Sequence, residues 1–220
     1  MALIMYLTKA PKYKDVVTDE YTTIPRKDIE LIDKYFTWTM VRSEGGNAGN
    51  SLKEWCGVPK SDMPHKYIVN YYREFFTKKS FYEEYIGNTE EYTIFEQLAR
   101  IVMANQIFNW FIKNVMSANL DSGYYEVTKA KLESLLDTCM SVSAGFTLIE
   151  HDDYYGDKYS VDAELAKSLL PLMEERGQSF GTRDYDINYA RHVLQMIDIL
   201  NTILNTTDFE KETVYFNAIW

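Results

Sequence analysis

The chain has 220 residues, of which 46% are apolar and 15% are aromatic, and it carries a formal net charge of −10. This length suits one domain, or one domain with an inserted lobe, and it can bury about 70% of the unfolded surface. Lysine and arginine are scattered, with no run longer than Lys78-Lys79. A protein that binds nucleic acid needs a clustered basic face, so the composition predicts that nucleic acid is not a partner.

The sequence carries no signal for a membrane or for secretion. No apolar run approaches the ~20 residues of a transmembrane helix. The apolar start at residues 1–7 lacks a basic leader, so we expect a buried strand rather than a signal peptide. Cys56 and Cys139 are too few for a disulfide framework or a zinc site. We therefore expect a cytoplasmic protein with reduced thiols and no membrane partner.

The first third of the chain alternates apolar runs with helix-start signals. Residues 2–8 predict a strand, and Pro25 opens a helix whose apolar residues recur on one face. Ser51–Glu54 fits a capping box for a short helix ending at Gly57, and Pro64 opens another helix. We predict one domain over residues 1–220, in which residues 44–88 form a candidate inserted helical lobe.

A long helix is predicted from about Thr89 to Ser117. Two amides, Asn105 and Asn109, fall on or beside its apolar face. An unpaired buried amide costs about 1–3 kcal/mol, so such amides require partners. Two interpretations remain open: the amides bond to a neighbouring loop, or they contact a ligand. The apolar face itself consists of Leu98, Ile101, Val102, Phe108 and Ile112.

The second half of the chain predicts a mainly helical α+β fold. A short strand at Tyr124–Val127 precedes a helix capped by Thr128, and residues 141–159 are irregular, with a hairpin near Gly156. The remaining elements are a helix capped by Ser160, a helix from Asp184 to Asn205, and a strand at Thr213–Phe216 that pairs with residues 2–8. We expect a single domain with a few short strands, whose two ends meet in a small sheet.

The last long helix has a distinctive start and one predicted buried face. The preceding loop places Arg183 next to the first turn of the helix. The backbone N–H groups of that turn have no partner within the helix and can bind a phosphate or carboxylate. Alternatively, Thr182 or Asp184 caps the helix internally. His192 falls opposite the apolar stripe and is predicted to be exposed. The stripe itself consists of Ile187, Ala190, Leu194, Ile197 and Leu204.

Motifs for catalysis, metals and cofactors are not found in the sequence. The glycines at 45, 46 and 49 are not followed by the Lys-Ser or Lys-Thr of a phosphate loop. His151-Asp152-Asp153 are adjacent and lack the separated pair of a firm metal site. The three histidines have no nucleophile motif around them. We therefore predict no catalytic residue, no metal and no cofactor.

Several segments recur in a recognisable order along nearly the whole chain: Met5-Tyr6-Leu7, Lys53–Gly57, Ala104–Ile107 with Trp110-Phe111, Asp121 with Tyr124-Tyr125, Leu170-Pro171, Phe180-Gly181-Thr182 with Tyr185-Asp186, and the C-terminus ending in Trp220. Together they resemble an uncharacterised family of proteins from tailed bacteriophages and prophages. The resemblance implies an accessory phage protein and assigns no reaction. Typical members carry a Tyr-Trp-Arg-Lys run before the Ala-Asn and a His after the Ile, where this chain has Arg100–Met103 and Phe108. That departure argues against a catalytic role for the helix.

These observations predict a non-catalytic phage protein in the host cytoplasm that binds a small nucleotide-like ligand and thereby counters host defence signalling. Aromatic faces would stack a base while amides read its edge. Two alternatives stay open: an acidic, tyrosine-rich inhibitor of a host or defence enzyme, and an enzyme acting on a nucleotide or sugar phosphate. Both the ligand-binding protein and the inhibitor are compatible with a homo-oligomer. The candidate ligand-binding residues are Asn105, Asn109, Trp110, Tyr124, Tyr125, Phe180, Thr182, Arg183 and Tyr185.

Overall fold

The computed structural model describes residues 3–14, 18–24, 28, 77–80, 90–93, 95–117, 123–149, 158–170 and 184–220. Contacts divide the chain into two compact units. Unit 1 contains residues 1–8, 97–208 and 214–220, and unit 2 contains residues 9–96 and 209–213. The helices predicted from Pro25, at 51–57 and from Pro64 lie outside the described residues, apart from Asp28, which is helical. Most of the predicted 44–88 lobe also lies outside them, so that lobe stays a prediction.

The described strands form a central four-stranded sheet and three two-stranded pairs. In the central sheet the strand order is β6-β1-β10-β7. The Met103 N–H, just after β6, donates to the Leu3 carbonyl just before β1 over 3.0 Å, so these two strands run antiparallel. β10 is antiparallel to β7, with Tyr215 opposite Glu126. The strands are β1 (Ile4–Pro11), β2 (Tyr13–Lys14), β3 (Tyr21–Thr22), β4 (Thr77–Ser80), β5 (Glu90–Thr93), β6 (Glu96–Val102), β7 (Tyr125–Val127), β8 (Phe146–Ile149), β9 (Lys158–Val161) and β10 (Glu212–Ile219).

The predicted α+β class is confirmed, with more helix than strand. The predicted pairing of the two chain ends is also confirmed, because β1 and β10 are neighbours at the centre of the sheet. Among the described helices α2 packs along α4, and none is long and apolar enough to cross a membrane. The helices are α1 (Asn105–Asn114), α2 (Lys129–Ser143), α3 (Ala163–Leu169) and α4 (Ile187–Thr206).

The helix predicted over residues 89–117 is wrong in its first half. Residues 90–93 and 96–102 are strands, and helix begins only at Asn105. Within β6, buried Ala99 and Ile101 alternate with the more exposed Leu98 and Arg100, which is the two-residue period of a strand. Met103 then adopts φ 60°, a left-handed conformation that cannot continue a helix. The apolar positions therefore belong to two elements, and their apparent helical spacing was accidental.

Two further predictions for helices need correction. Asp162, and not Ser160, caps α3, because Ser160 is still paired with Thr147 in the β8–β9 ladder. The buried face of α4 lies about one residue away from the predicted stripe, so of the predicted set only Ala190 is fully buried. Apolar residues occur on several sides of α4, so their periodicity alone does not identify the face that packs against α2. The buried residues are Tyr189, Ala190, Val193, Met196, Leu200 and Ile203.

Aromatic rings join α1 to the central sheet in unit 1. The Phe111 ring stacks on Phe216 of β10, with centroids 4.0 Å apart and planes 6° apart. Phe108 lies 6.5 Å from Phe216 and 5.5 Å from Trp220. Phe108, Phe111 and Phe216 are almost fully buried. This cluster sets the position of α1 on the sheet.

In unit 2, polar contacts hold the described segments together. Lys9 makes ion pairs with Glu212 at 2.9 Å and with Glu96 at 3.4 Å. The Lys12 ammonium donates to the Phe209 carbonyl over 2.7 Å. Because the Lys9 side chain is only 13% exposed, its two carboxylate partners compensate for a largely desolvated charge.

Replacing Phe111 with alanine tests the aromatic junction. Phe111→Ala removes a fully buried ring and leaves a cavity against Phe216, so we expect the free energy of unfolding to fall by about 3–5 kcal/mol. Lys113→Ala on the exposed side of the same helix is the control and should change it by less than about 0.5 kcal/mol. Urea denaturation followed by circular dichroism measures both, and a loss below about 1 kcal/mol for Phe111→Ala would contradict the assignment.

Candidate functional site

The first two turns of α1 bury three amides. Asn105, Gln106 and Asn109 are 3%, 3% and 4% exposed. Asn105 and Asn109 both make interactions within the protein. Since both side chains lie below the surface and are already engaged, their placement favours the structural interpretation over direct ligand contact. Residue Ala104, at the N-cap of α1, supplies no side-chain hydrogen bond to the first turn.

The third amide connects α1 to α4. Gln106 Nε2 lies 3.5 Å from His192 Nδ1. An amide nitrogen can only donate, so in this arrangement Nδ1 accepts and the proton of a neutral imidazole lies on Nε2. Nδ1 is the only ring nitrogen of His192 with a hydrogen-bond partner among the described residues. His192 is half-buried, so part of its side chain is exposed.

The surroundings of His192 keep its ring neutral. Burial lowers the pKa of His192 below its ordinary value of 6.5, and the nearby Arg191 charge lowers it further, although Asp186 acts in the opposite direction. The neutral form is also the form that can accept from Gln106 at Nδ1. At neutral pH the site therefore presents an uncharged imidazole.

Three half-buried side chains at the start of α4 form what we call the α4 strip: Tyr185, Asn188 and His192. Asn188 and His192 are four residues apart and so lie on the same side of the helix. The Tyr185 ring contacts the Tyr189 ring at 4.8 Å in an edge-on arrangement. The strip therefore combines an aromatic ring, an amide and a neutral imidazole.

Side-chain hydrogen bonds engage Asn188 in the middle of the α4 strip. The Asn188 side chain donates to the second Asp186 carboxylate oxygen over 3.4 Å and accepts from Arg191 Nη1 over 3.3 Å. Beneath the strip, buried Tyr189 donates its hydroxyl to the Leu170 carbonyl over 3.3 Å. Both atoms of the Asn188 amide are thus engaged within the protein.

The start of α4 is capped from within. One carboxylate oxygen of Asp186 accepts from the backbone N–H groups of Asn188 and Tyr189, at 2.9 and 3.1 Å. The prediction that Thr182 or Asp184 serves as the internal cap is therefore wrong in position, because the helix begins three residues later than expected. A carboxylate already occupies the place where a phosphate would bind.

The other candidate residues lie elsewhere in unit 1 or outside the described residues. Trp110 is buried and packs edge-on against Phe111 at 5.3 Å. Tyr125 lies opposite Phe216 in the β7–β10 ladder, and half-buried Tyr124 packs against Tyr215 at 6.3 Å. Trp110 thus packs within α1, whereas Tyr124 and Tyr125 lie against β10. Phe180, Thr182 and Arg183 lie outside the described residues.

Three residues of the site were not among the sequence-based candidates: Gln106, Asn188 and His192. His192 was placed on the exposed side because the predicted buried stripe of α4 was displaced by about one residue. The signal for Gln106 was present, since it lies between the two highlighted amides, but its orientation depends on the true start of α1.

The described residues provide little reactive chemistry. They contain no group of three or more His, Cys, Asp or Glu side chains placed to hold a metal ion. Cys139 is fully buried, and burial raises the pKa of its thiol to about 12, so it is not a ready nucleophile. The predicted His151–Asp153 cluster lies outside the described residues. The side chains that the structure describes at the start of α4 are hydrogen-bonding and aromatic groups.

Comparison with known proteins found no matching family model, no matching curated protein and no matching solved structure.

The protonation of His192 gives a pH prediction. Because its pKa is lower in the folded protein than in the unfolded chain, its contribution to stability is fully present above about pH 6.5 and is lost as the pH falls through 6.5 toward the folded value. His192→Asn keeps an acceptor for Gln106 but cannot titrate. We expect the wild type to lose stability relative to this variant between about pH 7.5 and 5.5. If the free energies of unfolding of the two proteins change equally with pH across this range, the lowered pKa of His192 is contradicted.

Proposed function

We propose that this chain is a non-catalytic phage accessory protein that binds a small nucleotide-like ligand in the host cytoplasm and so counters host defence signalling. The phage assignment is supported by the resemblance carried by segments in the same order along the chain. Binding is supported by the α4 strip. The two parts rest on separate observations and are tested separately.

The observation that carries the binding proposal is the neutral His192 ring held by Gln106. A buried amide fixes Nδ1 and leaves a directed Nε2–H donor on a half-buried ring. A donor whose orientation is fixed before binding loses little entropy when a ligand accepts from it. Tyr185, just before the N-cap of α4, is half-buried and holds its ring edge-on against Tyr189 at 4.8 Å.

Binding without turnover is the activity that fits these residues. General acid–base catalysis needs a titrating group within reach of a nucleophile or metal. In the part of the chain that the structure describes, the buried Cys139 thiol is held in its protonated form and potential metal ligands do not cluster. Retaining a signalling molecule, rather than converting it, would be sufficient to interrupt a defence response.

Isothermal titration calorimetry with cyclic dinucleotides and ADP-ribose derivatives tests the binding proposal. We expect at least one of them to bind the wild-type protein with one ligand per chain. His192→Phe keeps the ring volume but removes the donor, and should weaken that binding about 3- to 10-fold, which corresponds to one lost hydrogen bond.

Gln195→Ala, on an exposed position one turn further along α4, is the matched control and should bind as the wild type does. Circular dichroism checks that each variant is folded. Lack of binding by every ligand in the series would overturn the proposed function, and equal binding by His192→Phe would remove the α4 strip from it.

A further inference from the structure

We infer that Gln106 and His192 form a contact between α1 and α4 that has two states, and that protonation of His192 exchanges them by reversing the Gln106 side-chain amide. In the neutral state the amide N–H donates to Nδ1. In the protonated state the amide oxygen accepts from Nδ1–H. The inference concerns the protein without a ligand, so it goes beyond the proposed function and does not depend on it.

The contact seen in the structure is compatible with a neutral ring alone. Gln106 Nε2 lies 3.5 Å from His192 Nδ1, and an amide nitrogen can only donate. A protonated imidazole carries a hydrogen on Nδ1 as well, so two donors would then face each other. Because Gln106 is only 3% exposed, a donor left there without an acceptor is unfavourable.

Reversal of the Gln106 amide restores the contact without moving either helix. A glutamine amide carries a donor and an acceptor at nearly the same distance from its last side-chain bond, and rotation about that bond exchanges them. Among the described residues the Gln106 side chain makes no other hydrogen bond, so the rotation breaks no second contact there. The new bond runs from a cationic N–H group to a carbonyl oxygen, and such bonds are stronger than those between neutral groups.

The charges around the ring place the exchange on the acid side of neutrality. Burial lowers the pKa of His192 below 6.5, Arg191 lowers it further, and Asp186 acts in the opposite direction. From α1 the ring meets the neutral Gln106, and Lys113, the one charged residue of that helix, lies seven residues further along on its exposed side. The helix α2 and the strand β9 also contact α4, and among the described residues neither contributes a charge that acts on the ring.

Nitrogen–proton NMR of the full chain, recorded between about pH 7.5 and 5, follows the His192 ring nitrogens and the Gln106 side-chain NH₂ group together. We expect both groups to titrate with the same midpoint, because Nδ1 gains its proton as the amide N–H groups lose their acceptor. An NH₂ group whose resonances do not change while the ring titrates would overturn the inference.

Gln106→Glu replaces the amide by a carboxylate, which can only accept. It should raise the proton affinity of His192 at least about tenfold and favour the Nδ1–H tautomer of the neutral ring. Gln195→Glu is the matched control, since it adds the same charge at an exposed position three residues from His192. It should raise the proton affinity less than about threefold. Equal effects of the two variants would mean that Nδ1 does not face residue 106, and would overturn the inference.

Gln106→Met decides between one state and two, and it also serves if Gln106→Glu does not fold. Methionine has nearly the same shape as glutamine but neither donates nor accepts strongly. If the amide reverses, it stabilises the protonated ring more than the neutral one, so its removal should lower the proton affinity of His192 about two- to fivefold. If the amide serves the neutral ring alone, its removal raises the proton affinity. A rise or no change would therefore overturn the inference, whatever the outcome of the ligand titrations.

Discussion

The stacking of Phe111 on Phe216 is the contact on which the rest of the described unit 1 depends. It fixes α1 against β10, a strand at the centre of the sheet, with the two rings 4.0 Å apart. Once α1 is fixed there, its first turn lies below the surface, and Asn105, Gln106 and Asn109 must all be buried. Buried amides need partners, and for Gln106 the partner is His192 on α4. Packing in the core thus places Gln106 next to Nδ1 of the half-buried His192.

The contacts of His192 are the basis of the proposal that the chain binds a ligand without converting it. Gln106 Nε2 lies 3.5 Å from Nδ1, and burial lowers the pKa of the imidazole, so the neutral ring can accept at Nδ1 and donate at Nε2. At the start of α4 the Asp186 carboxylate already accepts from the backbone N–H groups that elsewhere would attract an anion. Under the proposed function, the Nε2–H group of His192 is the donor that a ligand acceptor would meet.

The sequence predicted elements with local signals well. The Thr128 cap of α2 and the strand at Tyr125–Val127 were both recovered, and so was the pairing of the chain ends. The prediction was wrong at β6 and α1, where the spacing of the apolar residues fits both a helix and a strand. The two elements are separated only by the backbone turn at Met103, which the apolar pattern does not reveal. The sequence analysis also placed His192 on the exposed side of α4. The true buried face lies about one residue away from the predicted one, and this places the His192 ring next to Gln106. Such errors follow from tertiary packing, which local periodicity does not contain.

The central claim is that His192 is a neutral donor, fixed by Gln106, that meets the ligand through Nε2–H. Long-range nitrogen–proton NMR spectra of the imidazole, recorded near neutral pH with and without the tightest-binding cyclic dinucleotide or ADP-ribose derivative, test it most directly. We expect the Nε2–H tautomer in the free protein and a shift of the Nε2 resonance, larger than that of Nδ1, when that ligand is added. A charged ring, the opposite tautomer, or unchanged resonances at saturating ligand would contradict this claim.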